Sequence, residues 1–278
     1  MRIAVASGKG GTGKTTVAIG LALSLPNVQF IDADAEEPNA HLFLHPVVHE
    51  AIPVCMTVPE IDSVGCTLCG ACAEFCRFNA LAVVGGEVLV FPELCHGCGG
   101  CVYACPQGAV REKQRQIGEV RIGAVAEMCF IDGRLRPGEP SAVQIVREEI
   151  RRARSDRTTI IDAPPGTACA VQEVIAGSDF CLLVTEPTPF GLHDLRMALD
   201  LAAELGVPAG VVINRSGPRD SIIEGECQSR GVPVMLRIPL DRRIAEAYSR
   251  GETLVGAFPE YAERLRELHR AIHTRAAA

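Results

Sequence analysis

A glycine-rich run near the start of the chain constrains the fold more than any other feature. Residues 7–16 read SGKGGTGKTT and match the pattern G-x-x-x-x-G-K-[ST], with Gly8, Gly13, Lys14 and Thr15 in register. A stretch that favours a strand precedes the run, and a stretch that favours a helix follows it. In such a unit, backbone N–H groups and the positive end of the helix dipole converge on phosphate groups. The run therefore predicts a phosphate-binding loop.

The side chains of this loop have separate expected roles. Lys14 is expected to reach the β- and γ-phosphates of a nucleotide, and the Thr15 hydroxyl is expected to bind Mg²⁺. A second lysine, Lys9, is not needed by an ordinary phosphate-binding loop. The residues expected to contact the nucleotide are Gly8, Lys9, Gly10, Gly11, Thr12, Gly13, Lys14, Thr15 and Thr16.

Continuous apolar runs along the chain predict the strands of a sheet. Because these runs do not alternate between apolar and polar residues, they are typical of a mostly parallel sheet that is buried between helices on both faces. Residues 118–131 alternate instead, and the Asp132-Gly133 pair after them predicts a turn. The predicted buried strands are residues 2–7, 28–34, 158–162, 179–185, 209–214 and 233–238.

An acidic residue at the end of one predicted strand is a candidate for the nucleotide site. Asp162 ends the run TTIID and is followed by the turn residues 163–166. The carboxyl ends of strands are where open α/β sheets bind ligands, and a carboxylate there can accept hydrogen bonds from water bound to Mg²⁺. The alternative is that Asp162 only caps the end of its strand.

Composition excludes several classes of protein. The 278 residues carry a formal net charge of −7, which argues against general nucleic-acid binding because that requires a basic surface. We expect neither a transmembrane helix nor a secretory signal. The chain nevertheless has 13 cysteines. In the cytoplasm, where we expect this protein, metal ligation is favoured over structural disulfides.

Eight of the cysteines form two runs with the same spacing. In bacterial ferredoxins such runs each supply three thiolates to one 4Fe–4S cluster, and the fourth thiolate comes from the other run. The runs are Cys66-x₂-Cys69-x₂-Cys72-x₃-Cys76 and Cys95-x₂-Cys98-x₂-Cys101-x₃-Cys105-Pro106. One cluster is expected on Cys66, Cys69, Cys72 and Cys105, and the other on Cys95, Cys98, Cys101 and Cys76.

Zinc is the competing interpretation of these runs. Zinc sites typically use two CxxC pairs per ion, often with histidine, and would leave the third cysteine of each triplet unexplained. Arg77 follows Cys76 where a proline is usual, which adds positive charge near the second cluster without removing a ligand. We predict a cysteine-rich domain of residues 60–113, inserted into a nucleotide domain of residues 1–59 and 114–278.

Together these motifs resemble the MinD/Mrp superfamily of P-loop ATPases, and within it the members that contain an inserted two-cluster ferredoxin domain. The segments that carry the resemblance are KGGTGKTT, IDAD, DAPPGT, TEPTPFG and VVINRS, together with the cysteine runs. The resemblance implies an α/β P-loop NTPase fold with a small ferredoxin-like α+β insert. It also implies Mg²⁺-dependent ATP hydrolysis.

The resemblance further implies roles for particular residues. Lys9 would reach across the interface of an ATP-dependent homodimer to the partner's nucleotide. Asp34 would be the switch I acid that orients the attacking water or a water on Mg²⁺, with Asp32 as the weaker candidate. Asp162 would be the Walker B acid. Asn214, whose amide can both donate and accept, would bind the edge of adenine.

Three functions stay open at this point. The first is an ATPase whose nucleotide cycle gates electron transfer through its own clusters, with an unknown redox partner. The second is an ATPase that assembles iron–sulfur clusters or other metal centres, and the third is a regulator of cell division or partitioning whose clusters sense redox state. The helix predicted at residues 259–275 is expected to pack against the protein and not to lie on a membrane, because its polar face mixes acidic and basic residues.

Overall fold

The chain folds around one large sheet, and the computed structural model describes residues 1–276. The strands are β1 (Arg2–Ala6), β2 (Val28–Asp32), β3 (Val47–Ile61), β4 (Leu81–Val84), β5 (Glu87–Val90), β6 (Val110–Val125), β7 (Met128–Leu135), β8 (Thr158–Asp162), β9 (Phe180–Thr185), β10 (Ala209–Ser216) and β11 (Val234–Pro239). The helices are α1 (Lys14–Leu23), α2 (His41–Leu44), α3 (Ala71–Phe75), α4 (Gly100–Ala104), α5 (Val143–Arg151), α6 (Cys169–Ala176), α7 (Pro189–Glu204), α8 (Ser221–Ser229), α9 (Arg242–Ser249), α10 (Leu254–Ala257) and α11 (Glu260–Ala276).

Nine strands form the large sheet in the order β11-β10-β9-β1-β8-β2-β7-β6-β3. All neighbours from β11 to β7 are parallel, whereas β6 and β3 are added at one edge in antiparallel pairing. The apolar runs are buried on both faces because helices cover the sheet on either side. The α/β fold with a mostly parallel sheet is confirmed, and it brings the carboxyl ends of β1, β8 and β2 together.

Helices pack on both faces of the sheet and complete two apolar cores. Helices α1, α10 and α11 cover one face, and α5, α6, α7 and α8 cover the other. In α11, the predicted apolar stripe is buried against α1, and each such side chain contributes about 1.5–3 kcal/mol to folding. The stripe consists of Tyr261, Leu265, Leu268 and Ile272. Among the helices of residues 1–276, none is long and apolar enough to cross a membrane.

The turn predicted at Asp132-Gly133 is wrong, because both residues lie inside β7. The chain reverses instead at Ala126, where the backbone is left-handed with φ 49°. Asp132 is fully buried and pairs with Arg121 of β6, so its polarity does not mark a turn. Position 133 requires glycine because a Cβ there would collide with Ile145 of α5.

Sequence reasoning assigned no strand to residues 47–61, yet β3 is one of the longest strands. Its interior contains Pro53 and Pro59, which argue against a strand because proline lacks a backbone donor. β3 tolerates them because it is the edge strand of the sheet, where one side of the backbone needs no partner. The antiparallel pairing of β3 with β6 could therefore not be predicted from the sequence pattern.

The far halves of β3 and β6 extend beyond the sheet. β3 pairs with β6 from Val47 opposite Ala124 to Ile61 opposite Val110, whereas β7 pairs with β6 only from Gly118 onward. Residues 55–61 and 110–116 therefore form a two-stranded ribbon, which we call the ribbon. The domain boundaries expected after residues 59 and 113 fall within it.

Residues 62–109 connect the two strands of the ribbon, and we call them the cysteine segment. The segment contains α3, α4 and a two-stranded sheet of β4 and β5. Its two cysteine runs have the same local structure: each short helix begins after a left-handed glycine, at Gly70 (φ 79°) and Gly99 (φ 70°). Each helix also ends at the last cysteine of its run, Cys76 or Cys105, which adopts an extended conformation. The repeated sequence is thus a repeated structure.

Candidate nucleotide-binding and cysteine sites

The loop between β1 and α1 brings its lysine and threonine to the acid at the end of β8. Lys14 Nζ lies 2.6 Å from Asp162 Oδ1, and the Thr15 hydroxyl donates to Asp162 Oδ2 at 2.7 Å. All three side chains are buried. β1 and β8 are adjacent and parallel, so the loop and Asp162 meet at one edge of the sheet.

Asn214 of β10 lies against the same loop. Its Nδ2 donates to the backbone oxygen of Thr12 at 2.7 Å. A Cβ on Gly13 would collide with that amide, and Gly13 also has the left-handed φ of 88° that favours glycine. Two independent constraints therefore fix glycine at this position of the loop.

The phosphate-binding loop opens into a cleft of about 430 Å³. Asp34 and Asn214, predicted to belong to the site, both line it. One wall of the cleft was missed from the sequence, although it begins at the carboxyl ends of β10 and β11, where parallel strands bind ligands, and continues into α9. This wall consists of Arg215, Ile238, Pro239, Leu240, Asp241, Ile244, Ala245 and Tyr248.

Asp32 and Asp34 lie in different surroundings. Burial raises the pKa of Asp34 to about 6, although the charge of Lys14 opposes the rise. Burial and the charge of Asp162 raise the pKa of Asp32 to about 7. The Asp32 carboxylate accepts hydrogen bonds from the N–H groups of Asn39 and Ala40, at 3.0 and 2.9 Å. Asp32 thus anchors the loop that carries Asp34 instead of facing the cleft.

Lys9 is held by its own chain in this structure. Its Nζ lies 2.6 Å from Glu186, which also pairs with Arg215 at 2.7 Å. Burial alone would raise the pKa of Glu186, but the hydrogen bonds from the two cations lower it overall. Arg215 also donates to the backbone oxygen of Gly11 at 3.2 Å. Sequence reasoning missed Glu186, although it belongs to the TEPTPFG segment.

The eight spaced cysteines separate into two sets of four around two cavities. The outer set lies near the end of the ribbon, at a cavity also lined by Ile61 and Val110. The inner set lies closer to the large sheet, at a cavity also lined by Thr57 and Glu112. The outer set is Cys66, Cys69, Cys72 and Cys105, and the inner set is Cys76, Cys95, Cys98 and Cys101. The spacing predicts the same two groups.

The sulfur atoms of both sets accept backbone hydrogen bonds. Ala109 donates to Cys105 at 3.3 Å in the outer set, while Ala80 donates to Cys76 at 3.3 Å and Gly97 to Cys95 at 3.4 Å in the inner set. Burial raises the pKa values of the Cys72, Cys95 and Cys101 thiols. Burial acts the same way on Cys105, but nearby backbone N–H groups lower its pKa overall.

Each set of four cysteines lines a cavity of its own. Within residues 1–276, no three or more His, Cys, Asp or Glu side chains lie together as the ligands of one metal ion do. Of the remaining cysteines, Cys169 lies exposed at the start of α6, and the geometry gives it no role.

Comparison with known proteins settles the family. Residues 3–255 match the family model described as the CobQ/CobB/MinD/ParA nucleotide binding domain. The chain belongs to this family. An uncharacterized protein of Methanocaldococcus jannaschii is 31% identical over 270 residues, which cover 92% of this chain and 91% of that protein. The family therefore accounts for the phosphate-binding loop, the sheet and the cleft.

Two further similarities are more limited. The crystal structure of the cell division ATPase MinD of Pyrococcus furiosus superimposes with a TM-score of 0.59 and covers 98% of both chains at 21% identity, which shows a shared fold. The cytosolic Fe-S cluster assembly factor NBP35 of Eremothecium gossypii is 28% identical over 121 residues, 36% of either chain.

Proposed function

We propose that this protein is a Mg²⁺-dependent ATPase that houses two 4Fe–4S clusters and whose nucleotide state gates electron transfer through them. The observation that carries the proposal is a nucleotide cleft at the large sheet and two four-cysteine cavities at the ribbon that extends from the same sheet. The outer and inner sets would hold the clusters, which would supply one-electron chemistry.

The proposed ATPase step uses partners that the structure already brings together. Lys14 and Thr15 now bond to Asp162, and a Mg²⁺-nucleotide would draw the lysine to the β- and γ-phosphates. Asp162 would then accept hydrogen bonds from water on Mg²⁺. Asp34, at the wall of the cleft, would orient the attacking water. Asn214 would bind the adenine edge, because its amide already lies against the loop.

Dimer formation would require Lys9 to leave its own chain. The lysine would exchange Glu186 for the phosphates of the partner's nucleotide, which offer a higher negative charge. An ATP-dependent homodimer is thus part of the proposal.

A row of buried charges offers a physical route between the nucleotide and the clusters. Asp162, Asp32 and Asp132 occupy adjacent register positions on β8, β2 and β7, and Arg121 occupies the next on β6. Lys14 pairs with one end of the row, and Arg121 Nε donates to Asp132 at 2.9 Å at the other. Since β6 continues into the ribbon, a change at Asp162 would be carried to the cysteine segment through this row of carboxylates and one strand.

The metal content tests the first half of this proposal. Anaerobically purified protein should contain about eight irons and eight sulfides per chain and lose its visible absorbance with dithionite. Cys101→Ser should lose about half of the iron, whereas the exposed Cys55→Ser on the ribbon should lose none. Zinc without sulfide would contradict the proposal.

Cluster assembly is the second candidate, and the similarity to NBP35 favours it. Under this function the clusters are cargo and should move to an apo-ferredoxin during ATP turnover. We favour resident clusters because no CxxC pair occurs outside residues 66–105. Iron that stays with the chain through many turnovers would support gated electron transfer, and transfer to the apo-protein would support assembly.

A further inference from the structure

The cysteine segment exposes much of the apolar surface of this chain. Half of the large hydrophobic side chains that are exposed among the described residues belong to residues 62–109. Soluble proteins rarely leave large apolar patches in water, and such patches mark interaction sites. The segment is therefore the part of the chain that a partner protein would contact.

Three aromatic rings surround the opening of the inner cavity. Phe75, Phe78 and His96 line this cavity and are exposed, Phe75 by 54% and Phe78 by 41%. The rings of Phe78 and His96 stack with their centres 3.8 Å apart. Phe75 packs over Gly100, where a Cβ would collide with its ring. The exposed Cys98 lies at the same cavity, so the rings border an accessible cysteine of the inner set.

The outer cavity has a different opening, although the two cysteine runs have the same local structure. Phe78 follows the last cysteine of its run by two residues, and Gln107 is its equivalent in the other run. His96 directly follows the first cysteine of its run, and Thr67 is its equivalent. Both equivalents line the outer cavity, and among the described residues none that lines this cavity is aromatic. Only the inner opening therefore presents rings to a partner.

A fourth exposed ring belongs to Tyr103 of α4. Tyr103 is 92% exposed and follows Gly100 by three residues, so both lie on the side of α4 that Phe75 covers. Aromatic side chains are enriched in the cores of protein interfaces and contribute most of their binding energy. We call Phe75, Phe78, His96 and Tyr103 the aromatic rim.

Acidic residues lie around the aromatic rim. Glu74 directly precedes Phe75 in α3, Glu93 lies two residues before Cys95, and Glu112 lines the inner cavity. All three acids are exposed. The ion pairs of the segment and the ribbon instead use Asp62, Glu60 and Glu139.

The positive charges near the rim do not balance these acids. Of the described lysines and arginines, only Arg77 lines the inner cavity. Arg115 donates to the Pro92 carbonyl near Glu93, but its charge is already paired with Glu139. Three acids and one arginine leave negative charge around the rim, and a basic surface is complementary to it.

We infer that the aromatic rim is the docking surface for a one-electron carrier protein that presents lysine and arginine side chains around its own redox centre. The inference rests on the proposed function, since it requires a cluster on the inner set. One electron would pass between the carrier's centre and this cluster, so one is oxidised as the other is reduced, and no bond forms or breaks. The small rim suits a transient encounter, since interfaces of electron carriers bury less than about 1,200 Å².

The test mixes reduced holoprotein, anaerobic and freed of reductant, with oxidised cytochrome c in a stopped-flow instrument. Cytochrome c is a basic one-electron carrier, and its ferric haem is reduced as the clusters are oxidised. The rate constant should fall as salt is added, because salt screens the attraction between the acidic rim and the basic carrier. Plastocyanin, an acidic carrier, should react more slowly and show no such fall.

Variants at the rim should change these rates in a defined way. Phe78→Gln copies the equivalent residue of the outer run and should lower the rate constant for cytochrome c about tenfold, as expected for an aromatic at the centre of an interface. Glu74→Lys should lower the same rate constant at low salt and raise that of plastocyanin. A small uncharged quinone, which needs no docking, should oxidise these variants at the wild-type rate.

Val64→Ser and Glu87→Lys are matched controls on the side of the outer set. Val64 is 96% exposed and lies two residues before Cys66, while the exposed Glu87 adjoins Val88 at the outer cavity. Neither substitution should change the reaction with cytochrome c. A loss of rate in these controls equal to that in Phe78→Gln and Glu74→Lys would overturn the inference.

Tyr103→Ser decides the matter if Phe78→Gln loses iron, because a ring that is 92% exposed contributes little to folding. It should slow the reaction with cytochrome c and not that with the quinone. Wild-type rates in iron-replete rim variants would overturn the inference and leave the proposed function intact. A dimer of this chain that Tyr103→Ser disrupts in sedimentation would assign the rim to a second copy and also overturn it. Wild-type protein without iron and sulfide would instead remove the proposed function itself.

Discussion

The nucleotide cleft and the cysteine segment differ in how much their ligands contribute to the fold. In the cleft, Lys14 and Thr15 already bond to Asp162, and the strands behind them are fully buried. In the cysteine segment, Phe75 is 54% exposed and Tyr103 is 92% exposed. Short helices and one pair of strands cannot form a large core, and small units of this kind depend on metals or disulfides. The cleft is preformed, whereas under the proposed function the segment would need its clusters to complete its core.

The largest expected effect tests this difference directly. Cys101, buried in the inner set, should be essential to the segment because loss of a cluster removes folding free energy. In Cys101→Ser, hydrogen exchange of the amides around the inner set, residues 76–101, should become at least about 100-fold faster. Amides of β1, β8 and β9 should keep their protection, as should both regions in the control Cys55→Ser. Unchanged exchange in the segment would show that the protein part alone holds it together.

Next in size is the expected effect at Asp34. Asp34→Ala should bind ATP with near-normal affinity but hydrolyse it on the order of 10²-fold more slowly, because the water is no longer positioned. Glu36→Ala removes an exposed acid two residues away and should leave the rate unchanged. Equal loss of ATP affinity and rate in Asp34→Ala would move this residue from water positioning to nucleotide binding.

The pKa of Asp34 adds a pH dependence to the same test. Burial raises that pKa to about 6 in the nucleotide-free protein, so the carboxylate needed for hydrolysis is lost as the pH falls below 6. The value of kcat/KM reports on the free enzyme and should decrease about tenfold per pH unit below this point. Asp34→Ala should lack this inflection. A wild-type profile that is flat between pH 5 and 7 would contradict the role of this ionisation.

A smaller effect is expected at Lys9. Its substitution tests whether the nucleotide cleft is complete in one chain or is completed by a partner chain. Lys9→Ala should weaken ATP-dependent dimerisation and hydrolysis by about tenfold, which corresponds to the lower end of the roughly 1.5–3 kcal/mol of one charged hydrogen bond, and should spare nucleotide binding by the monomer. Glu186→Gln should strengthen the dimer, since it releases the lysine. Sedimentation with and without ATP measures both effects. A dimer that responds to neither change excludes the crossing lysine.

The sequence predicted the features whose residue types are fixed by local chemistry. Gly13 and Lys14 are required by a phosphate-binding loop, and the spacing of Cys66 to Cys105 predicts the two sets of four cysteines that line separate cavities. Features set by distant contacts were not predictable. Gly133 resembles a turn residue, but glycine is needed there because α5 leaves no room for a Cβ. Glu186 matters only because β1 and β9, which are far apart in sequence but paired in the sheet, bring it to Lys9.

The central claim is that nucleotide and clusters influence one another, and a redox titration with different nucleotides tests it most directly. Allosteric coupling is typically about 1–3 kcal/mol. Since tenfold in the equilibrium constant is about 59 mV for one electron, the potentials should shift by about 50–130 mV between the ADP state and the state with a non-hydrolysable ATP analogue. Linkage requires that reduction change nucleotide affinity by the same factor. Superimposable titrations without nucleotide, with ADP and with the analogue, together with equal nucleotide affinities for oxidised and reduced protein, would contradict the account.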